Sequence, residues 1–187
     1  MAEVTKYASG YKILFSGVAW TSPGNATGEA DDNVASVTLA SMQGAKFLVL
    51  NHFGFSLPAG ATVTGIQVEI RASSSGPTMI MWLTKDSEDT VGMDKYADLS
   101  ESLEWVVVSE EDELWGTTWT PAEINASTFG VITDVSTYSS PPGTVRVDAV
   151  RVSIYYDYEE PPPSEGGGVI PSVVPERIPA RIPPIAL

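Results

Sequence analysis

The sequence predicts an all-β protein: an antiparallel β-sandwich or jelly roll of about seven to eight strands, followed by an extended proline-rich C-terminal arm. Three observations carry that expectation. Apolar and polar residues alternate in several short runs, the period of a strand with one wet face. Clusters of Pro, Gly, Ser and Asn separate those runs at turn spacings typical of sandwiches. Residues 159–187 then change composition altogether. The chain thus divides into a lead-in over residues 1–25, a β-rich body over 26–158 and an arm over 159–187.

The lead-in lacks a basic start followed by an apolar run, so no signal peptide is expected. In the body, Lys46–Leu50 and Phe53–Leu57 read as two short strands or one kinked strand around Asn51-His52. Leu57-Pro58-Ala59-Gly60-Ala61 is a turn, with Pro fixing φ and Gly permitting a positive one. From Thr62 to Arg71, Ile66, Val68 and Ile70 point one way while Gln67, Glu69 and Arg71 point the other. Ser73-Ser74-Ser75-Gly76-Pro77 leads at hairpin-like spacing into Thr78–Thr84, a run rich in β-formers. Leu103–Val108 and Thr128–Val135 are further strands. Between them, Pro121–Asn125 predicts one helical turn, with Thr120 as N-cap and Pro121 as the first helical residue. Ser139-Ser140-Pro141-Pro142-Gly143 precedes the last strand. There Val150, Val152 and Ile154 alternate with Arg151, Ser153 and Tyr155, whereas Val145 and Val147 sit on the opposite parity. A bulge near Asp148, or burial on both faces, accounts for the switch.

The arm follows Glu159-Glu160-Pro161-Pro162-Pro163 and a Gly166-Gly167-Gly168 joint. Prolines at 171, 175, 179, 183 and 184 forbid a helix or a central strand and favour an extended polyproline path. At about 3.1 Å per residue, residues 166–187 span on the order of 65 Å. Their charged side chains are Arg177, Arg181 and Glu176, a net of +1, against −15 for the rest of the chain. Val169, Ile170, Val173, Val174, Ile178, Ile182, Ile185 and Leu187 are aliphatic, where an ordinary linker is polar. Each aliphatic side chain contributes roughly 1.5–3 kcal/mol when fully buried, and proline lowers the entropy lost on ordering. Arg177, Arg181 and these aliphatics are therefore expected to bind a partner chain, in a groove or along a sheet edge.

A net charge of −14 opposes nucleic-acid phosphates and anionic membranes. No stretch approaches the ~18 apolar residues of a membrane span. With no cysteine and a single histidine, His52, disulfides, thiolate metal sites and Cys nucleophiles are excluded, and a zinc site of the usual kind lacks ligands. No G-x-S-x-G elbow and no phosphate-binding glycine loop occurs. No cofactor is expected. Calcium is a weak alternative at Asp31-Asp32-Asn33 and Asp86-Ser87-Glu88-Asp89, where oxygen ligands gather beside strands. Asx turns account for the same residues. Of five tryptophans, Trp115 and Trp119 are candidate surface aromatics for stacking on a glycan. Covering an open end of the sandwich is their other reading.

Several blocks resemble a known module when taken in order. They are Trp20-Thr21-Ser22-Pro23-Gly24-Asn25-Ala26 with Asp31–Ala35, then Phe53–Val68, then Leu114–Asn125 with Phe129-Gly130-Val131, then Val147–Tyr156. The order is similar to a β-sandwich module that recurs in bacteriophage virion proteins and some bacterial surface proteins, over about residues 18–157. The resemblance implies a virion component without enzymatic activity, such as a capsid decoration or cement protein. Its partners would be other virion proteins, such as the major capsid protein, and it would be a homo-oligomer such as a trimer. A carbohydrate-binding or adhesin-like fibre module is the alternative. The resemblance carries no catalytic residues, and the arm lies outside it.

Overall fold

The computed structural model describes residues 1–160, so the arm residues named above lie outside the described residues. Ten strands form two antiparallel five-stranded sheets: β1 (Ala2–Tyr7), β2 (Gly10–Leu14), β3 (Ala35–Leu39), β4 (Phe47–Asn51), β5 (Thr62–Ser74), β6 (Thr78–Thr84), β7 (Val91–Ala97), β8 (Glu104–Val107), β9 (Gly130–Ser136) and β10 (Gly143–Asp157). The first sheet runs β1-β10-β5-β8, with β3 also on β10, and the second runs β2-β4-β9-β6-β7. The expected β-sandwich is present.

The pairing is that of a rolled ribbon. β3 pairs with β10, β4 with β9, β5 with β8 and β6 with β7, as in one long antiparallel hairpin. Rolling that ribbon brings β10 against β5 and β9 against β6, closing each sheet. Eight of the strands, β3 to β10, follow jelly-roll order. β3 and β7 are not among the expected runs, and Phe53–Leu57, expected as a strand, is a non-strand segment that packs Phe53, Phe55 and Leu57 into the core. The lead-in adds two more. β1 lies along Arg151–Tyr156 and β2 along β4, while buried Trp20 donates its indole N–H to the Lys46 carbonyl at 2.8 Å. The sandwich therefore begins at the N-terminus and not at residue 26.

The core is the inward parity of both sheets. Ile66, Val68 and Ile70 of β5 face Leu48, Leu50, Met79, Met81 and Leu83 of the second sheet, all fully buried. Alternation put the right face of β5 inward. The parity switch in β10 is a bulge: its register with β5 shifts between Val147 and Ala149, leaving Asp148 as the extra residue. Val147 ends the pairing with β3, and Arg151 begins the pairing with β1.

Two expected hairpins are sheet-switching corners. Ser73–Pro77 carries the chain from β5 in the first sheet to β6 in the second, and Ser139–Gly143 returns it from β9 to β10. The corners pack on each other, and a Cβ on Gly143 would meet the Ser75 hydroxyl at 2.8 Å. The helical turn α1 (Pro121–Asn125) is capped as its residues require. Thr120 Oγ1 accepts from Glu123 N, and Glu123 Oε2 accepts from Thr120 N at 2.8 Å, a reciprocal capping box.

Candidate functional site

The outward faces of the two sheets differ in kind. On the first sheet, several polar side chains pair with one another. Arg151 donates from Nε and Nη2 to the two oxygens of Glu69, both at 2.7 Å, and lies 4.5 Å from the centre of the Trp105 ring. The Glu69 hydrogen bonds raise the Arg151 pKa further above its ordinary value. Thr5 and Ser153 share a hydroxyl bond at 2.6 Å. At the bulge, Arg71 pairs with the fully buried carboxylate of Asp148 and, at 2.7 Å, with exposed Asp32. Asp148 also accepts the backbone N–H groups of Asp31 and Asp32 at 3.2 and 3.4 Å, fixing the loop that leads into β3.

These bonds explain the two oxygen-rich segments without a cation. Asp31 accepts from the backbone and side-chain N–H groups of Asn33, which hold its carboxyl below its ordinary pKa. Asp86 Oδ1 accepts the backbone N–H groups of Glu88 and Asp89, both at 2.9 Å, with the same effect on its carboxyl. Both are Asx-type turns. Among the described residues, no three His, Cys, Asp or Glu side chains converge as metal ligands. His52 occupies a left-handed turn position, φ 56°, with Nδ1 2.7 Å from Asn51 Oδ1.

Trp115 and Trp119 are not surface aromatics. Trp115 is fully buried and donates to the Ile66 carbonyl at 3.0 Å; Trp119 is buried and donates to the Leu114 carbonyl at 3.0 Å. Trp119 packs edge-on against Phe129, which also meets Phe53 and Phe55. Together they cover one end of the sandwich. Indole N–H groups this deep need carbonyl partners, and Ile66 of β5 and Leu114 of the loop before α1 supply them.

The second sheet presents a different outward face. β4 and β9 are buried on both sides: Leu48 and Val131 face the core, while Val49 and Ile132 lie on the outer parity and are also fully buried. Across that outer face run two rows. One is Lys12, Val49, Ile132 and Trp82; the other is Leu14 and Phe47, then Asp134, Ile80 and Tyr96. Phe15, just beyond β2, stands edge-on to Phe47 with ring centres 5.0 Å apart. Phe47 lies nearly parallel to Trp82, at 18° and 6.3 Å. Phe15 and Tyr96 are 67% and 64% exposed, so this aromatic strip is open to a partner. Lys12 is bound to Glu88. Asp134 sits within the strip, and burial alone acts on its carboxyl, pushing its pKa up.

Sequence reasoning missed this face, although Met79–Leu83 carried the signal. Five consecutive apolar residues in a strand put apolar groups on both faces. A separate open hollow of about 420 Å³, lined by Met1, Thr64, Glu110, Glu111 and Asp112, contains acids but no basic side chain. No described helix is long and apolar enough to cross a membrane.

Compared with known proteins, the chain matches no protein-family model and no curated protein. The likeness to virion modules therefore rests on the residue blocks quoted from the sequence.

Proposed function

We propose that this chain is a non-enzymatic virion structural protein, of the capsid decoration or cement type, that binds neighbouring subunits through its C-terminal arm. The observation that carries the reading is the contrast in partnering. On the first sheet Arg151 is paired with Glu69 and Arg71 with Asp148, whereas the second sheet leaves an aromatic strip uncovered. Contiguous exposed apolar surface of this kind marks a protein-interaction site. The arm supplies a second apolar surface, with charge opposite in sign to the body. A jelly roll by itself hosts many functions, so the virion assignment comes from the sequence resemblance.

The test is the location of the chain. Gradient-purified phage particles from the source are analysed by quantitative mass spectrometry and immunogold labelling. A decoration protein is present at many copies per particle and labels the capsid surface. Absence from the particles contradicts the reading, and labelling confined to tail fibres favours the adhesin alternative.

A further inference from the structure

The aromatic strip and the arm have complementary chemistry. Proline-rich segments dock in aromatic-lined grooves because proline is already extended and its ring stacks on aromatic faces. The strip offers Phe15, Phe47, Ile80, Trp82 and Tyr96, with Asp134 as its embedded acid. The arm offers eight aliphatics, five prolines between residues 171 and 184, and Arg177 and Arg181. An arginine brought to Asp134 would give its carboxylate the donors that the described residues do not. We propose that residues 169–187 of one copy seat on the outer face of β2-β4-β9-β6-β7 of a second copy, with Arg177 or Arg181 meeting Asp134.

The exit point favours a second copy over the chain's own body, and the length permits one. The described chain ends just beyond β10, which lies in the middle of the first sheet, while the strip is on the outside of the other layer. From Glu160, residues 161–187 reach about 80 Å at ~3.1 Å per residue. β10, the longest strand, spans about 50 Å at ~3.3 Å per residue. Each copy has one arm and one seat, and such a head-to-tail contact closes a ring when its rotation permits. The inference rests on the reading of the arm as a docking element and names its seat.

The experiment uses the full chain with p-benzoylphenylalanine placed at Ile178, mixed one-to-one in unlabelled and nitrogen-15-labelled forms. After irradiation, cross-linked peptides are mapped by mass spectrometry. Mixed-isotope links to peptides bearing Phe47, Trp82 or Tyr96 are expected. Asp134→Arg should lower their yield at least fivefold, and adding Arg177→Asp with Arg181→Asp should restore it. Asp134→Asn, which keeps the side-chain shape, should lower it about twofold or more with unchanged near-ultraviolet circular dichroism. Links to other surfaces, single-isotope links alone, or a yield indifferent to these charges would overturn the proposal. So would quenching of Trp82 by a polysaccharide without mixed-isotope links, which would give the face to a glycan. Particle binding by the same chains is measured in parallel. Binding without links to the strip overturns only the seat, whereas wild-type chain that fails to bind particles overturns the functional reading.

Discussion

Replacing Asp148 by Ala removes the charge at the β10 bulge and is expected to cost about 3–5 kcal/mol, the usual penalty for breaking a buried ion pair from one side. Asp148 is fully buried, while the Arg71 side chain is 21% exposed. Three donors lose their acceptor: the Arg71 guanidinium and the backbone N–H groups of Asp31 and Asp32. Arg71 retains Asp32, which limits the loss on that side. The two backbone bonds are long, so together they contribute about 1–2 kcal/mol, and the remainder is the half-buried guanidinium left facing a hole. Asp32→Ala is the control. Its side chain is 77% exposed, so its pair with Arg71 is expected to contribute under about 1 kcal/mol. Urea unfolding of the full chain, followed by tryptophan fluorescence and extrapolated linearly, measures both changes. A cost below about 1 kcal/mol for Asp148→Ala, or one equal to that of Asp32→Ala, would refute the view that the bulge carboxylate anchors the loop before β3.

Four further outcomes follow from local geometry. A Cβ at Gly65 would lie 1.7 Å from the Glu111 carbonyl oxygen, where the loop over residues 110–113 crosses β5 and bonds Ile66 N at 2.8 Å. Gly65→Ala should therefore lower the urea midpoint by the equivalent of about 1–3 kcal/mol with an unchanged slope. Thr120→Ala should cost about 1 kcal/mol by opening the capping box, read in the same assay. Hydrogen bonds from Lys95 and Lys85 hold the carboxyls of Glu113 and Glu123 below their ordinary pKa. That stabilisation is complete above the unfolded value of about 4.3 and is lost as pH falls through the lower folded values. Asp134 has the opposite sign: its raised pKa makes ionisation costly, so Asp134→Asn should raise the thermal midpoint of unassociated chain at pH 7. Thermal unfolding from pH 7 to pH 3 checks both, with Glu113→Gln and Glu123→Gln flattening the acid limb.

Much of the sandwich was legible because burial on one face writes itself as period 2. Ile66, Val68 and Ile70 gave the core face of β5, and the parity change around Asp148 gave the bulge. Thr120, Pro121 and Glu123 specify their own helix start. Of the missed strands, β1 and β7 bury little. β1 is exposed at four of its six positions, and β7 at four of its seven, so neither shows a clean apolar alternation. Ser73–Pro77 and Ser139–Gly143 have the residues of a tight turn, but whether a turn pairs two strands or changes sheet depends on partners distant in sequence. Trp115 and Trp119 were ambiguous for a chemical reason: indole suits a wet surface or a buried site with a carbonyl acceptor, and the acceptors at Ile66 and Leu114 appear only in three dimensions. The aromatic strip was hidden differently. Phe15, Phe47, Trp82 and Tyr96 come from four segments, and only the order β2-β4-β9-β6-β7 sets them on one face.

The arm's role in assembly is tested most directly by the number of copies bound per particle, comparing the full chain with a chain ending at Ser164. Purified particles lacking the protein are saturated with each, and bound copies are counted after sedimentation. The account predicts stoichiometric binding by the full chain and at least a tenfold loss for the shortened one, although its sandwich, complete within residues 2–157, stays folded. Equal binding by the two chains would contradict it.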